Sequence, residues 1–372
     1  MHIERIELYY VVFPLIYPWR TAYGSDQDIH TILVKLCSNN SVGWGETTPL
    51  YAPCYSPESS VGVYHTIREY IAPQIVGHEI ETAYDLLDRL KHFKGNYFAK
   101  AGVEIAWWML KAAVQGKPLH VLLGGTHKDI ESGSAQGIKE NLDMLMEAIQ
   151  NDIDAGYKRT KLKFAHDWGL DMLRSVKRVF PKHTFHIDCN SSYTFDELPI
   201  FKEVDKLGLA MIEQPFWHND LVEHAKLQAQ LETPICLDES IRNTRDMRMA
   251  VELQSCQYVN IKPGRVGGLQ NAIDIHNFAR DHGIRCWVGG MLESSLGKGI
   301  NIELATLDNF VYPNDISPST RSIKEDITDP VLEFPGEGKV FIPSTVAGVP
   351  YLPSESKLER FSREKYILAA RT

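Results

Sequence analysis

The chain has 372 residues, of which 44% are hydrophobic and 23% are charged, so it can bury a large core and is expected to form two domains. Its formal net charge of -9 argues against nucleic acid and anionic membranes as partners. No segment approaches the roughly 20 apolar residues of a membrane span, and the six cysteines form no Cys-x-x-Cys pair. We therefore expect a cytoplasmic protein with reduced thiols.

The first 125 residues combine strand and helix patterns. Residues 2–13 and 31–37 are rich in Ile, Val, Tyr and Leu and are predicted as strands. A polar stretch over 20–28 separates them and is predicted to be a loop, with residues 18–25 serving as a lid. Apolar residues at helical spacing follow, and the last of these helices covers about 99–115. We interpret residues 1–125 as an α+β capping domain.

From residue 126 to 325, short apolar strands alternate with amphipathic helices. This alternation predicts parallel strands joined by helical crossovers, as in a (β/α)8, TIM-like barrel. The tail over 326–372 returns to Pro, Gly and short β-like pieces and is expected to pack back on the first domain. The predicted barrel strands are 159–164, 184–188, 209–213, 234–238, 257–262 and 284–290.

A charged residue ends five successive strands of this predicted barrel. These residues are Lys163, Asp188, Glu213, Asp238 and Lys262, and by subtraction they are 25, 25, 25 and 24 positions apart. Each gap is close to one strand, one helix and two loops, because a barrel spends roughly 30 residues per unit. The five side chains are therefore predicted at the carboxyl ends of the strands, where barrel enzymes have their active sites.

Three of these strand ends carry carboxylates, and each follows an apolar run. Converging carboxylates repel one another, and a divalent cation removes that conflict. Oxygen ligands favour Mg²⁺, Mn²⁺ or Ca²⁺ over zinc, and three carboxylates leave positions for water and substrate, which favours Mg²⁺. The alternative is three unrelated acids that each cap the next helix.

Lysines flank the three acids. Lys161 and Lys163 are two residues apart on one strand and share a face, so we expect the two ammonium groups to lower each other's pKa. Lys262 is placed on the opposite side of the pocket. Arg265 follows three residues later and is expected to lower the pKa of Lys262, because a nearby guanidinium disfavours a second positive charge.

At these positions the sequence resembles the enolase superfamily, in the muconate-lactonising-enzyme subgroup. Longer runs at 259–268 and 288–293 resemble the branch that o-succinylbenzoate synthases share with N-acylamino acid racemases, and the resemblance covers nearly the whole chain. The motifs that carry it are Lys161-Leu-Lys163, Asp188-x-Asn190, Glu213-Gln-Pro215, Asp238-Glu239 and Asn260-Ile-Lys262.

The resemblance implies a modified barrel, (β/α)7β, and a role for each site residue. Lys163 would be the base, tuned by Lys161. Lys262 would steady an enediolate in a synthase, or act as the second acid and base in a racemase. The implied cofactor is Mg²⁺, for which Mn²⁺ can substitute; its implied ligands are Asp188, Glu213 and Asp238, surrounded by Asn190, Glu239 and Arg265.

Substrate contacts are harder to assign from sequence. The implied substrate is a small carboxylate, and a homo-oligomer is compatible with the chain. The candidate contacts are Trp19, Arg20, Tyr55, Gly289, Gly290 and Met291. The alternative interpretation is that the aromatic residues belong to the core and that the two glycines form an ordinary turn.

Several functions remain open at this point. The resemblance favours o-succinylbenzoate synthesis, the dehydration of 2-succinyl-6-hydroxy-2,4-cyclohexadiene-1-carboxylate in menaquinone biosynthesis. N-succinylamino acid racemisation is the alternative. A dipeptide epimerase fits less well, because relatives of that kind carry an Asp-x-Asp pair that is missing from residues 312–317. A Schiff-base lyase would not need three acids, and a binding-only barrel would not need all five charges.

Overall fold

A computed structural model describes residues 1–336 and 338–370. The chain begins with β1 (Arg5–Thr21), β2 (Gly24–Ser38) and β3 (Ser41–Thr47), which form an antiparallel sheet. The pairing of β1 with β2 continues to Thr21 and Gly24, so the prediction of a loop over 20–28 was wrong. Polar side chains at the end of this hairpin concealed the strand, although its backbone groups remain paired across the ladder.

The helices of this first part are α1 (Ser60–Thr66), α2 (Ala72–Ile75), α3 (Ala83–Leu90), α4 (Tyr97–Gln115) and α5 (Leu119–Leu123), and a π-helical turn at Ile67–Ile71 joins α1 to α2. Helix α4 packs directly on β3. A Cβ atom built on Gly43 would lie 2.2 Å from the carbonyl oxygen of Ala106, and one on Gly45 would lie 2.2 Å from that of Gly102. Glycine is therefore required on β3 for this close approach.

The middle of the chain forms the predicted alternation. After the short β4 (Ile130–Glu131), seven parallel strands lie side by side in chain order. They are β5 (Ser134–Gln136), β6 (Arg159–Lys163), β7 (Thr184–Asp188), β8 (Ile212–Glu213), β9 (Ile235–Leu237), β10 (Tyr258–Ile261) and β11 (Arg285–Val288).

Helices connect these strands, and two short 3₁₀ turns lie at Phe195–Glu197 and Ser319–Arg321. Among the helices of the described ranges, none is both long and apolar enough to cross a bilayer. The helices are α6 (Leu142–Asp154), α7 (Leu170–Val179), α8 (Leu198–Asp205), α9 (Val222–Gln228), α10 (Thr244–Leu253), α11 (Pro263–Val266), α12 (Leu269–Asp281) and α13 (Ser295–Leu304).

An irregular eighth strand over 309–315 closes the sheet into a barrel. The backbone N–H of Asp315 donates to the carbonyl of Val288 at the end of β11 (2.8 Å), and the N–H of Gly133 beside β5 donates to the carbonyl of Asn314 (2.8 Å). Both edges of the seven-stranded sheet are thus paired through one segment. This closure without an eighth helix is the modified (β/α)7β form that the sequence predicted.

The tail consists of β12 (Thr328–Asp329), β13 (Val340–Phe341), β14 (Leu352–Pro353), α14 (Glu355–Phe361) and β15 (Ser362–Ala369). Strand β15 pairs antiparallel with β1, from Ala369 opposite Arg5 onward. The end of the chain therefore completes the four-stranded sheet that the beginning of the chain starts.

Two buried carboxyl groups dock the cap on the barrel at helix amino termini. Glu46 on β3 accepts a hydrogen bond from the backbone N–H of Ser294 (2.9 Å), beside the start of α13. Glu104 on α4 accepts from the N–H groups of Leu269 (2.7 Å) and Gln270 (2.8 Å) at the start of α12. Helix amino termini favour acidic partners, whereas burial raises the pKa of both carboxyl groups to about 7.

Candidate active site

The five charged strand ends lie side by side at the carboxyl edge of the barrel. The register pairs Lys163 with Asp188, and Asp188 with Glu213. Asp238 directly follows β9 and Lys262 directly follows β10. All five side chains are buried, and Glu213 and Asp238 are fully enclosed. The site therefore concentrates three acids and two bases where solvent screens them little.

Neighbouring barrel residues hold Lys163 through two hydrogen bonds. Its Nζ donates to Asp188 Oδ2 (2.7 Å) and to Asn190 Oδ1 (2.7 Å). Asn190 is fixed in turn because its backbone N–H donates to Asp188 Oδ1 (3.1 Å). Asn190 also has a positive φ of 45°, a conformation that asparagine tolerates better than most residues. The amino group of Lys163 is thus aimed by a tight turn at the end of β7.

Lys161 has an anionic environment that sequence analysis did not anticipate. Its Nζ lies 2.8 Å from Asp315 Oδ2, 3.6 Å from Asp188 Oδ2 and 3.7 Å from Glu213 Oε2. Burial alone would lower its pKa, but these three carboxylates outweigh burial and raise it. The expectation that the paired lysines would lower the pKa of Lys161 was therefore wrong for this structure.

Asp315 is a site residue that the sequence analysis did not assign. It lies on the closing strand, and its pKa is depressed because the charges of Lys161 and Arg159 outweigh the effect of burial. Its signal in the sequence is an acidic residue shortly after the apolar residues 310–312.

Lys262 stands at the opposite end of the row and contacts both the barrel and the cap. Its Nζ donates to Asp238 Oδ2 (2.8 Å) and to the hydroxyl of Tyr55 (3.0 Å). Burial opposes its charge, but Tyr55 and the carboxylates of Glu213 and Glu239 raise its pKa overall.

The expected effect of Arg265 on Lys262 is not found. Its guanidinium pairs with Asp238 Oδ1, while Lys262 uses Oδ2 of the same carboxylate. Arg265 also donates to the carbonyls of Asn260 (2.5 Å) and Ile241 (3.0 Å). The prediction of a lowered Lys262 pKa was wrong here, because Tyr55 and the carboxylates of Glu213 and Glu239 raise it. Asp238 also lies between the two cations and pairs with both.

One carboxylate oxygen of Glu213 accepts a hydrogen bond and the other does not. Oε1 accepts from the side-chain amide of Asn260 (2.7 Å). Oε2 lies 3.4 Å from His186 Nε2, yet neither atom makes a hydrogen bond of normal geometry. Burial raises the pKa of Glu213, but Lys161 and His186 outweigh it and hold the pKa well below its usual range. His186 stands within an apolar run, and no motif marked it as a site residue.

Glu239 also has a buried oxygen, Oε2, without a hydrogen-bond partner. Burial, followed by the charge of Asp188, raises its pKa to about 7. A buried carboxylate oxygen without a hydrogen bond destabilises the folded state. Such an oxygen is expected where a cation binds.

The donor chemistry of this row suits a hard divalent cation. Buried carboxylates come from adjacent strands, on Asp188, Glu213 and Asp238, and Oε2 of Glu213 accepts no hydrogen bond. Within the described residues, however, no three His, Cys, Asp or Glu side chains form a closed ligand cluster. Instead, Lys161 lies beside Asp188 and Glu213, and Lys262 pairs with Asp238. The residues fit such a cation by chemistry, and these ammonium groups balance the same charges.

The substrate candidates fall into separate groups. Tyr55 reaches the charged row, and burial raises its pKa to about 12, so its hydroxyl stays protonated. Trp19 and Arg20 lie near the tip of the β1–β2 hairpin, where the N–H of Ile138 donates to the Arg20 carbonyl (3.2 Å). The hairpin therefore contacts the barrel just beyond β5.

The Gly289-Gly290 turn follows β11 and has no room for side chains. A Cβ on Gly289 would lie 2.1 Å from Asn260 Oδ1, and one on Gly290 would lie 2.8 Å from the carbonyl oxygen of Asp315. Met291, next along the chain, lines a small cavity beside Glu46 on the cap. It therefore belongs to the junction between cap and barrel.

Family models match both parts of the chain. Residues 5–124 match the mandelate racemase / muconate lactonizing enzyme N-terminal domain, and residues 144–346 match the enolase C-terminal domain-like family. Together the two matches cover most of the capping region and the barrel.

Relatives over the full length have two kinds of name. The chain is 39% identical to an o-succinylbenzoate synthase from Geobacillus stearothermophilus, covering 98% of this chain and 96% of that one. It is 36% identical to an N-succinylamino acid racemase from Thermus thermophilus, covering 90% of each. A solved structure of an enolase superfamily member from Listeria innocua superposes with a TM-score of 0.94 at 32% identity, covering 99% of both chains.

Proposed function

We propose a function from the premise that this chain belongs to the mandelate racemase and muconate lactonizing enzyme family of the enolase superfamily, as its two domain matches show. The proposed activity is o-succinylbenzoate synthesis, in which 2-succinyl-6-hydroxy-2,4-cyclohexadiene-1-carboxylate loses its α-proton and then hydroxide. Relatives named as such synthases, 39% and 38% identical over 98% of the chain, support this assignment.

One observation carries the proposal. Lys163 and Lys262 stand at opposite ends of a row of three buried carboxylates, each hydrogen-bonded to the acid nearest it. A carboxylate placed over the row would present its α-carbon between the two amino groups. Such an α-proton is very weakly acidic, so the enediolate needs positive charge that acts mainly after proton transfer.

In the proposed mechanism, Asp188, Glu213 and Asp238 would hold Mg²⁺, for which Mn²⁺ could substitute. When bound, the metal supplies Lewis-acid stabilisation of negative charge on the substrate's carboxylate oxygens. Lys163 in its neutral form takes the α-proton. Lys262 remains an ammonium group beside the developing negative charge. The departing hydroxide then takes the proton from Lys163 and leaves as water, and the ring becomes aromatic.

The remaining polar residues orient this machinery. Asn190 fixes Lys163 through the hydrogen bond to its Nζ. Asp315 holds Lys161 beside the acids. Glu239 adds a buried carboxyl group whose Oε2 is unpaired. Trp19, Arg20, Gly289, Gly290 and Met291 enclose the substrate from the hairpin and the turn after β11.

N-succinylamino acid racemisation is the second candidate, and a specific observation favours it. Both lysines are held firmly, and a racemase needs a base on each face of the α-carbon. Relatives named as racemases are 36% identical over 90% and 89% of the chain. A dipeptide epimerase is disfavoured because Asp315 is already paired with Lys161.

The domain division and the setting of the enzyme are further parts of the proposal. We divide the chain into a capping part (1–125), a barrel (126–325) and a tail (326–372), which the pairing of β15 with β1 supports. A cytoplasmic location and assembly of identical chains are compatible with this assignment.

The direct test of the proposal uses the purified protein with the cyclohexadiene substrate. We expect formation of the aromatic product, complete loss of turnover in excess EDTA, and recovery with Mg²⁺ or Mn²⁺. Glu213→Gln should leave the circular dichroism spectrum unchanged but weaken Mg²⁺ binding in calorimetry, because it removes a charged ligand.

The matched control is Glu252→Gln, an exposed position on the outer helix α10, which should behave like the wild type. Full turnover in excess EDTA would contradict the metal assignment. Turnover of neither the cyclohexadiene nor an N-succinylamino acid would contradict the proposed function.

A further inference from the structure

Within the described residues, one cap side chain hydrogen-bonds into the charged row. Tyr55 lies between β3 and α1, yet its hydroxyl donates to Asp238 Oδ1 (2.8 Å) and accepts from Lys262 Nζ (3.0 Å) and Arg265 Nη1 (3.3 Å). Among the described residues of the first 125, only Tyr55 has a side chain that hydrogen-bonds to any of the five charged strand ends. The hydroxyl is therefore a junction between the two parts of the protein.

The aromatic ring adds a second restraint on the same lysine. Lys262 Nζ lies 4.4 Å from the centroid of the Tyr55 ring, within the range of a cation–π interaction. The ring itself packs edge-on against Phe98 of α4, with centroids 6.5 Å apart, and Tyr55 is only 5% exposed. Ring and hydroxyl together fix where the ammonium group points.

The segment that carries Tyr55 is closed by a backbone hydrogen bond and is tied to α4. The N–H of Ser60 donates to the carbonyl of Leu50 (2.9 Å), which joins the two ends of the segment. Near its second end, Glu58 accepts from the N–H of Phe98 (3.1 Å) at the start of α4. Tyr51 between these anchors is exposed. Tyr55 thus points inward from a surface loop that is fixed to the cap.

Among residues 1–336 and 338–370, no cap side chain makes an equivalent hydrogen bond to Lys163. Its hydrogen bonds go to Asp188 and Asn190, both on the barrel. A displacement of the cap loop would therefore remove the Tyr55 contact from Lys262, leaving only its bond to Asp238, and would leave both hydrogen bonds of Lys163 in place.

We propose that Tyr55 is a positioning residue by which the cap loop over 48–59 aims Lys262, so that the reaction face served by Lys262 works only with this loop in place. This inference rests on the proposed function, since it assumes that Lys262 serves one face of the substrate's α-carbon. It reassigns Tyr55 from a substrate contact to a device that couples the cap to one lysine.

The first test measures deuterium exchange of the α-hydrogen from each enantiomer of an N-succinylamino acid in D₂O. Lys163→Ala and Lys262→Ala identify the enantiomer that each lysine serves. Tyr55→Phe keeps the ring and removes the hydroxyl, and with it a hydrogen bond to the charged Lys262. We expect roughly a tenfold loss of exchange through Lys262 and less than about a twofold change through Lys163.

Two further variants sharpen this result. Tyr55→Leu removes ring and hydroxyl and should lower exchange through Lys262 further than Tyr55→Phe does. Tyr51→Phe removes a hydroxyl from the exposed part of the same loop and should leave both exchange rates unchanged. Equal losses on both faces in Tyr55→Phe would overturn the inference, because a purely structural role affects the two lysines alike.

A second measurement does not depend on turnover. Brief treatment with acetic anhydride, followed by peptide mass spectrometry, reports how readily each lysine reacts. We expect acetylation of Lys262 to rise at least about threefold in Tyr55→Phe, with Lys163 unchanged, because the hydroxyl and loop no longer confine that amino group. Unchanged acetylation of Lys262 would overturn the inference. If the wild type exchanges neither enantiomer and forms no aromatic product, the proposed function is wrong, and acetylation alone decides whether Tyr55 holds Lys262.

Discussion

The two ends of the carboxylate row are built differently. At one end, Lys163 is fixed by Asp188 and Asn190, which lie on the neighbouring barrel strand and the turn after it. At the other end, Lys262 is fixed by Asp238 of the barrel and by Tyr55 of the cap. The first end needs only the barrel to be correctly folded, whereas the second also needs the cap to be docked.

This difference separates two demands on the enzyme. The proposed abstraction of a proton by Lys163 requires rigid placement of one base, and a barrel strand provides such placement. The role of Lys262 differs between a synthase, where it stays a cation, and a racemase, where it must exchange a proton. Because Lys262 lies at the junction with the cap, a movement of the cap can change the position of Lys262 without changing that of Lys163.

The largest expected effect is at the barrel end. Lys163→Ala should lower aromatic product formation by at least about a thousandfold, because it removes the proposed general base. Stopped-flow absorbance and single-turnover quench would both report this loss. Product formation near the wild-type rate would show that Lys163 is not the base. Lys158→Ala, before β6, is the control and should leave the rate of product formation unchanged.

A smaller effect is expected at the cap end. Lys262→Ala should abolish racemisation but preserve α-hydrogen exchange from the enantiomer that Lys163 serves. Loss of the second acid and base should lower exchange from the other enantiomer by about a hundredfold or more. NMR of both enantiomers in D₂O measures the two rates. Similar losses from both enantiomers would remove the distinction between the two ends.

Asp315→Asn should produce a loss of intermediate size that is confined to the barrel end. The neutral amide still accepts a hydrogen bond from Lys161 but lacks the charge that holds it 2.8 Å away. A charge-assisted hydrogen bond is about twice as strong as a neutral one, so exchange through Lys163 should fall roughly fivefold to tenfold. Asp308→Asn, an exposed site after α13, is the control. A loss on the Lys262 face alone would contradict this placement.

The row of charged strand ends could be predicted because it depends on local pattern. Each strand and helix pair spends about 25 residues, so the spacing alone aligned Lys163, Asp188, Glu213 and Asp238. The hairpin tip could not be predicted in the same way. Polar residues around Asp26 look like a loop in sequence, but their backbone groups are paired across the ladder.

Contacts across long stretches of chain were the least predictable part of the site. Tyr55 and Lys262 are 207 residues apart, and nothing local in either segment specifies their meeting. The bridging of Arg265 and Lys262 by Asp238 also reverses an expectation based on sequence proximity alone. Charge and spacing predict which residues converge, whereas the pairing of individual donors and acceptors depends on how the cap sits on the barrel.

The smallest expected effect concerns that docking and its dependence on pH. Burial raises the pKa of Glu104 from its ordinary value of 4.5 to about 7. The folded state therefore binds more protons than the unfolded state between these values. The stabilisation associated with the proton is complete below about pH 4.5 and is lost as pH rises through about 7.

When the pH rises from 6 to 8, ionisation of this carboxyl group should lower the free energy of unfolding of the wild type by about 1 kcal/mol. Glu104→Gln cannot titrate, and its amide group will also oppose one of the N–H groups at the start of α12, so it should be less stable than the wild type at pH 6. The gap between them should then narrow by about 1 kcal/mol at pH 8, which urea denaturation at both pH values can measure. Glu147→Gln, exposed on α6, should show no such narrowing. A gap that is the same at both pH values would mean that Glu104 is already ionised at pH 6, so that the hydrogen bonds from Leu269 and Gln270 outweigh its burial.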